Sequence, residues 1–445
     1  MLTYDLDRRG KLARYDYLYR CIREDILAGR LTAGEKLPSK RSLASHLQTA
    51  VITVQNAYAQ LEAEGYLYTR EKRGYYVADV ERHPAAPGRA PARSAPQPQR
   101  SWLLDLSSGG SGTEDFPFSV WAKLMRRVLS EEGEALLRAT PPNGADALRR
   151  AIAQHLYRFR GISAAPEQIV VGAGTEYLYN LIVQLLGREA VYGVEDPGYS
   201  KAARIYALGG ARTAPVLVDE GGVSLRSLEM SDAQILHTSP NHQFPTGAVT
   251  PIGRRQSLLR WAEAREGRYI IEDDYDSEFR FTLRPIPTLQ SIDRAGRVIY
   301  VNTFSRTLAP SLRISYMVLP KSLTERYRAQ LGFYSSTVPA MEQYTLARFL
   351  DEEYFEAHIN RMRKSYRAQR DAVIDTILQS PLGEHCRVSG EDAGLHFLLT
   401  IDTKCTDHVL RADAEGRGVR LSFLSDFALR PGSAPQHTLV IHYPG

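Results

Sequence analysis

Cysteine is scarce in this chain of 445 residues. There are three, Cys21, Cys386 and Cys405, with no C-x-x-C pair. Spacing so wide excludes a disulfide scaffold and a cysteine-rich zinc module, and it fits a reducing compartment. Long apolar runs are missing too. No stretch approaches the roughly 18 residues of a membrane span, and the N-terminus lacks the apolar core of a secretion signal. A cytoplasmic protein without a membrane partner is expected. Lysine is rare as well, with nine among 56 Lys+Arg. Apolar residues make up 43% and charged residues 24%, enough to bury a sizeable core, which excludes wholesale disorder.

The net charge of +5 is unevenly placed. Residues 1–101 carry 17 basic against 11 acidic groups, and the remainder carries 39 against 40. A basic head on a neutral body suggests a polyanion-binding module. Residues 81–101, rich in Pro, Ala, Arg and Gln without apolar periodicity, read as a semi-extended linker. The expected organisation is a head over 1–80, the linker over 81–101 and a body over 102–445.

In the head, Leu18, Cys21, Ile22 and Ile26 recur near a 3.6-residue period, which predicts a helix over 15–28 ended by Gly29. Ser39, after Pro38, is placed to N-cap a second helix through Leu43 and Leu47. A third follows over 51–64 and stops at Gly65. Segments 66–68 and 75–77 flank the basic turn Glu71-Lys72-Arg73-Gly74. Three helices and a two-stranded wing describe a winged helix-turn-helix. The third helix suits the major groove, where base edges are distinguishable, and the wing carries Arg73 toward phosphate or minor groove. The run L-P-S-K-R-S-L-A, followed by I-T-V-Q-N-A-Y-A-Q-L-E-A-E-G-Y-L, resembles the GntR family of bacterial regulators. The resemblance implies double-stranded operator DNA as a partner, contacted by Arg41, Thr53 and Gln55. Ala50 and Val51 stand where the family commonly has Ser and then Arg or Lys. Operator affinity is therefore expected to lean on Ser39, Lys40, Arg41 and the wing at Arg73 and Gly74.

The body alternates short β-branched runs (169–171, 190–194, 234–237, 269–271, 298–301) with amphipathic helical stretches such as 176–186 and 253–265. That alternation predicts an α/β fold with a mostly parallel central sheet and ligands beyond its carboxyl ends. Five motifs fall there or beyond: Glu195-Asp196-Pro197-Gly198-Tyr199, the segment from Ser239 to Gly247, Glu272-Asp273-Asp274-Tyr275, Thr303-Phe304-Ser305-Arg306, and His358 to Arg363 with Tyr366 and Arg370. Together, in this order, they resemble fold-type I aminotransferases. With the head attached, they resemble the MocR/GabR subfamily of GntR regulators.

The resemblance implies a pyridoxal 5′-phosphate (PLP) site. Asp273, or Asp274 if the register slips by one, matches the carboxylate at the pyridinium nitrogen. Tyr275 matches the donor to the ring oxygen, and Tyr199 the stacking ring. Gly174, Thr175 and Glu176 match the phosphate-binding helix start, aided by Ser305 and Arg313. Arg306, however, occupies the position of the family's Schiff-base lysine. A guanidinium stays protonated and forms no such imine under ordinary conditions, and none of the nine lysines falls in that motif. Lys201 matches a position facing substrate. Ala139 stands where a tyrosine reaches the partner's phosphate, and Val440 where an arginine holds the substrate carboxylate. Arg306 reads either as a single introduced exchange in an intact motif or as natural drift.

The expected protein is a homodimeric transcription regulator, with heads that can exchange between subunits. Its body senses PLP, held noncovalently, or a related amine effector, without transaminating. Two alternatives remain at this level: a PLP-dependent aminotransferase with an appended head, and a PLP-independent regulator with a remodelled pocket. No metal is expected.

Overall fold

The computed structural model describes residues 2–10, 12–71, 73–80, 102–107, 115–281, 286–392 and 394–444. The linker expected over 81–101 and Lys72 of the wing turn lie outside them. The chain divides into two compact units, Met1–Gln99 and Arg100–Gly445.

The first unit contains helices α1 (Arg14–Leu27), α2 (Lys40–His46) and α3 (Val51–Ala63), then strands β1 (Leu67–Arg70) and β2 (Gly74–Val77). The periodic residues Leu18, Ile22 and Ile26 of α1 are fully buried against Val54, Ala57, Tyr58 and Leu61 of α3. Ser39 Oγ accepts from the Ser42 N–H and caps α2 as expected. Tyr58 donates to the Pro38 carbonyl at 3.1 Å, so α3 fixes the entry to α2. The wing pairs antiparallel, with Leu67 opposite Val77 and Arg70 opposite Gly74.

In the second unit, β3 (Leu104–Asp105) precedes the main-sheet strands β4 (Ile169–Gly172), β5 (Val191–Asp196), β6 (Arg212–Asp219), β7 (Gly222–Val223), β8 (Ile235–Thr238), β9 (Tyr269–Asp273), β10 (Val298–Thr303) and β11 (Ser315–Val318). The sheet order is β4-β11-β10-β9-β8-β5-β6-β7. The centre, β10 through β6, is parallel. β11 runs antiparallel to both neighbours, and β7 to β6. The five expected runs are β4, β5, β8, β9 and β10. β6, β7 and β11 complete the sheet and were not anticipated. Beyond it, β12 (Cys386–Ser389), β13 (His396–Ile401) and β15 (Thr438–His442) form a small antiparallel sheet, while β14 (Val419–Arg420) pairs with β3. Central strands buried on both faces demand covering helices, and the apolar runs of β4, β9 and β10 supply that interior.

This topology sets the chemistry. β4 ends at Gly172, β5 at Asp196, β9 at Asp273 and β10 at Thr303, so the motifs that follow converge along one edge of the sheet.

Candidate functional site

In the head, Arg41, Gln55 and Arg73 are exposed, while Thr53, one residue from the exposed Ile52, is half-buried in the first turn of α3. The Lys40 ammonium lies over the Tyr75 ring at 5.8 Å, which ties the start of α2 to the wing. The Arg70 guanidinium lies over the rings of both Tyr68 and Tyr76, at 5.5 and 4.8 Å. Arg70 was not singled out from the sequence. Its signal was available in the alternation of Tyr and Arg along a wing strand.

In the body, a cavity of about 330 Å³ brings together Thr175, Glu176, Tyr199, Asp273, Tyr275, Ser305, Arg306 and Arg313. Gly174 stands one residue outside this lining, as the N-cap of helix Thr175–Leu186. Its φ of +93° is one that L side chains avoid, and a Cβ there would strike the Arg313 guanidinium. Val440 is buried among Leu398 and Leu424 and does not line the cavity. Ala139 is exposed elsewhere. Neither position contributes a side chain to this pocket.

Asp273, at the end of β9, is held from behind. Its Oδ2 accepts from Tyr179 at 2.5 Å and faces His237 Nε2 at 3.4 Å. The Nδ1 of His237 in turn meets Tyr206 at 2.6 Å. Oδ1 has no hydrogen-bond partner among the described residues, although Asp273 is 6% exposed. A buried carboxylate oxygen without a partner, on a residue that lines a cavity, is what a cationic ring nitrogen requires. Tyr179 and His237 were not read from the sequence. A histidine inside the apolar strand β8 was the available sign.

Asp274 has a different task. Its Oδ2 takes the Arg160 guanidinium and the Tyr300 hydroxyl, each at 2.6 Å, and its Oδ1 takes Asn241 at 2.7 Å. Asp273 is therefore the pocket carboxylate, and the one-residue slip is excluded.

The remaining walls are arranged by charge. Lys201 at 2.8 Å and Arg313 at 2.9 Å hold the Glu176 carboxylate. Hydrogen bonding from Lys201, with help from Arg313, keeps that carboxyl below its ordinary range. Arg313 thus pairs with Glu176 in this state, beside the helix start where an anion would sit. Burial pushes the Tyr275 phenol well up, and Tyr199 up as well, so both are O–H donors at neutral pH. Tyr275 lies 3.2 Å from His242 Nδ1, which itself bonds Asp276 Oδ2 at 2.8 Å. His242, Asp276 and His396 form a buried group of metal-ligand types. Burial, His242 and His442 hold His396 well below its usual range, and Arg306 adds a further positive charge nearby.

Residues 14–77 match the bacterial regulatory proteins of the gntR family, and residues 103–409 match aminotransferase class I and II. Relatives span both regions, among them the probable rhizopine catabolism regulatory protein MocR of Rhizobium meliloti, 34% identical over 99% of this chain and 92% of its own. The chain belongs to the GntR family, in its MocR branch. This MocR-type regulator is also 38% identical to the HTH-type transcriptional regulator YdeL of Bacillus subtilis, over 94% of this chain and 91% of that one. PdxR of Corynebacterium glutamicum, a pyridoxine biosynthesis transcriptional regulator, is 34% identical over 91% and 87%. Among solved structures, the aminotransferase LysN of Thermus thermophilus, complexed with N-(5'-phosphopyridoxyl)-L-leucine, is 26% identical with a TM-score of 0.67, covering 77% of this chain and 87% of that one. A multiple substrate aminotransferase of Thermococcus profundus shares the fold at TM-score 0.69 and 23% identity, covering 78% and 87%. The MocR-type chain therefore joins a DNA-binding head to an aminotransferase-like body with a PLP-type pocket. Among the described residues no helix is long and apolar enough to cross a membrane.

Proposed function

We propose that this regulator holds PLP without a covalent bond, does not transaminate, and passes the occupancy of its body to operator-bound heads in a homodimer. The observation that carries the reading is the pairing of an open Asp273 Oδ1 with an arginine at position 306 in the same cavity. Asp273 keeps a partner for a pyridinium nitrogen, and a pyridinium partner has little purpose without a pyridine. Position 306 offers no amine nucleophile.

The residues present fit the cofactor. Asp273 would take the ring nitrogen, Tyr275 the ring oxygen and Tyr199 a ring face. The start of helix Thr175–Leu186, with Ser305 and Arg313, would take the phosphate. When bound, PLP supplies an aldehyde able to capture amines. Tyr179 and His237 orient Asp273, and Lys201 with Arg313 neutralises Glu176 so that an incoming anion is not repelled. Arg306 contributes positive charge to the cavity and withholds the amine that would move protons in transamination. The effector is then PLP itself or an amine that joins it. The relative named for pyridoxine biosynthesis supports that class.

A ligand in the body shifts DNA binding only through its differential affinity for two dimer arrangements.

The test is operator affinity of the full chain across a salt series, with and without PLP. A several-fold change on adding PLP is expected, and indifference to PLP would refute the sensing role. Arg41→Ala should weaken binding several-fold and make the log–log salt slope shallower by about one, as loss of one phosphate contact requires. An unchanged slope would reject Arg41 as a phosphate anchor.

A further inference from the structure

A second cavity, of about 270 Å³, lies in the body apart from the PLP-type pocket and shares no lining residue with it. Three segments wall it: the end of helix Asp146–Arg160, the stretch after β9 from Ser277 to Arg280, and the first turns of helix Tyr354–Gln379. Its volume is below the roughly 300–1,000 Å³ of drug-sized ligand sites.

Its walls are unusual in what they leave unpaired. Arg160 Nε, Arg280 Nε, Ser277 Oγ, Glu278 Oε2 and Glu356 Oε2 are all buried atoms with no hydrogen-bond partner among the described residues. The Arg160 side chain is 8% exposed and Ser277 7%. Buried polar atoms are normally satisfied, so five unpaired ones among the residues that line one cavity mark a wall whose polar groups are not paired off among the described residues. The unpaired set is mixed: guanidinium N–H donors, a hydroxyl and two carboxyl oxygens. A simple anion leaves the carboxyl oxygens unmet, and a simple cation leaves the guanidinium groups unmet. Phe159, Phe355 and Ile359 add apolar wall. A neighbouring hollow shares Arg280 and Arg363 with the cavity and adds Lys364 and Arg367 against one acid, Asp371, a cationic excess that favours a carboxylate.

We infer that this cavity is a second effector site, and that it takes a free α-amino acid with an apolar side chain. The carboxylate meets Arg160 and Arg280, the ammonium meets Glu278 and Glu356, and the side chain lies on Phe159, Phe355 and Ile359. The site is coupled by position to the first pocket. Arg160 also holds Asp274, one residue from Asp273. Whatever an amino acid does to PLP affinity, PLP must do reciprocally to the affinity for the amino acid.

The experiment uses the full chain, dialysed free of PLP, and follows thermal unfolding while L-leucine and L-phenylalanine are titrated in. An upward shift of about 3 °C is expected near a hundred-fold excess over Kd. 4-Methylpentanoate and isoamylamine, each lacking one charge of leucine, should bind at least about 10-fold more weakly, because each leaves half the polar set unpaired. Glu356→Gln and Arg280→Gln should each weaken leucine binding about 10-fold. Ile359→Trp should abolish it by filling the cavity, with circular dichroism confirming the fold. Asp273→Ala should leave it unchanged. No shift with either amino acid would mean that water alone fills the cavity, and would overturn the proposal. A shift lost in Asp273→Ala but kept in Ile359→Trp would place the amino acid in the PLP pocket, and would overturn it equally. An Ile359→Trp protein that becomes monomeric would assign the cavity to a partner subunit's side chain, and would overturn the proposal as well.

Discussion

Arg306→Lys is expected to turn a protein that releases PLP on dialysis into one that retains it. The segment around the exchange reads T-F-S-x-T-L-A-P-S-L-R, and the structure sets five of its residues in the cavity lining. β10 delivers Thr303 to the cavity edge, the Phe304 N–H bonds the Ile314 carbonyl, and the turn that follows places Ser305 and residue 306 in the lining. The open Asp273 Oδ1 and the two protonated phenols surround the same space. An amine introduced there needs only to lose its proton to attack an aldehyde, and the positive groups already present, Lys201 and Arg313, favour the neutral amine. After borohydride treatment, close to one PLP per chain should be fixed on the peptide carrying residue 306, against none in the parent. Failure of the lysine to capture PLP would mean that the pocket has been remodelled beyond the one exchange, and would favour a PLP-independent effector.

The second large effect separates two neighbouring aspartates. Asp274→Ala should cost the body about 3–5 kcal/mol, because it strands the Arg160 guanidinium in the interior and removes acceptors from Tyr300 and Asn241. Asp274 is 1% exposed, so no solvent can replace the lost charge. Asp273→Ala should cost far less stability, since half of its carboxylate is already unpaired, yet it should abolish PLP binding. The check is denaturant unfolding of the body, followed by a body-specific signal because the two units need not unfold together, alongside PLP titration of each variant. The opposite pattern, with Asp273 structural and Asp274 controlling PLP, would reverse the assignment made here.

The head was legible because local rules decide it. A 3.6-residue period, a serine in capping position and a basic turn between aromatic strands suffice to specify three helices and a wing. In the body, the strands buried on both faces showed themselves as apolar runs. β6 did not: it carries Pro215 and buries only Val216 fully, its other positions being half-buried or exposed. β11 was hidden because it begins two residues after Arg313, inside a motif read for its chemistry, and because it runs antiparallel in a sheet expected to be mainly parallel. The pocket-facing residues were named through the motif resemblance. Their supports were not. Tyr179 lies 94 residues from Asp273, and Arg160 lies 114 from Asp274. In sequence, Arg160 stands beside Phe159 just before Gly161 with nothing to mark it, and only tertiary packing shows it to be a buried counter-ion. Residues that touch a ligand recur in a recognisable order, whereas the groups that hold them in place come from wherever the fold supplies a neighbour.

The account depends on a cavity that retains its cofactor contacts after losing its nucleophile. The most direct measurement is equilibrium dialysis of PLP against the native chain, followed by borohydride and peptide mass analysis. The expected result is saturable binding with no reduced adduct on residue 306 or on any lysine, and full release of PLP on unfolding. Absence of saturable binding, or an adduct fixed to the chain, would contradict it.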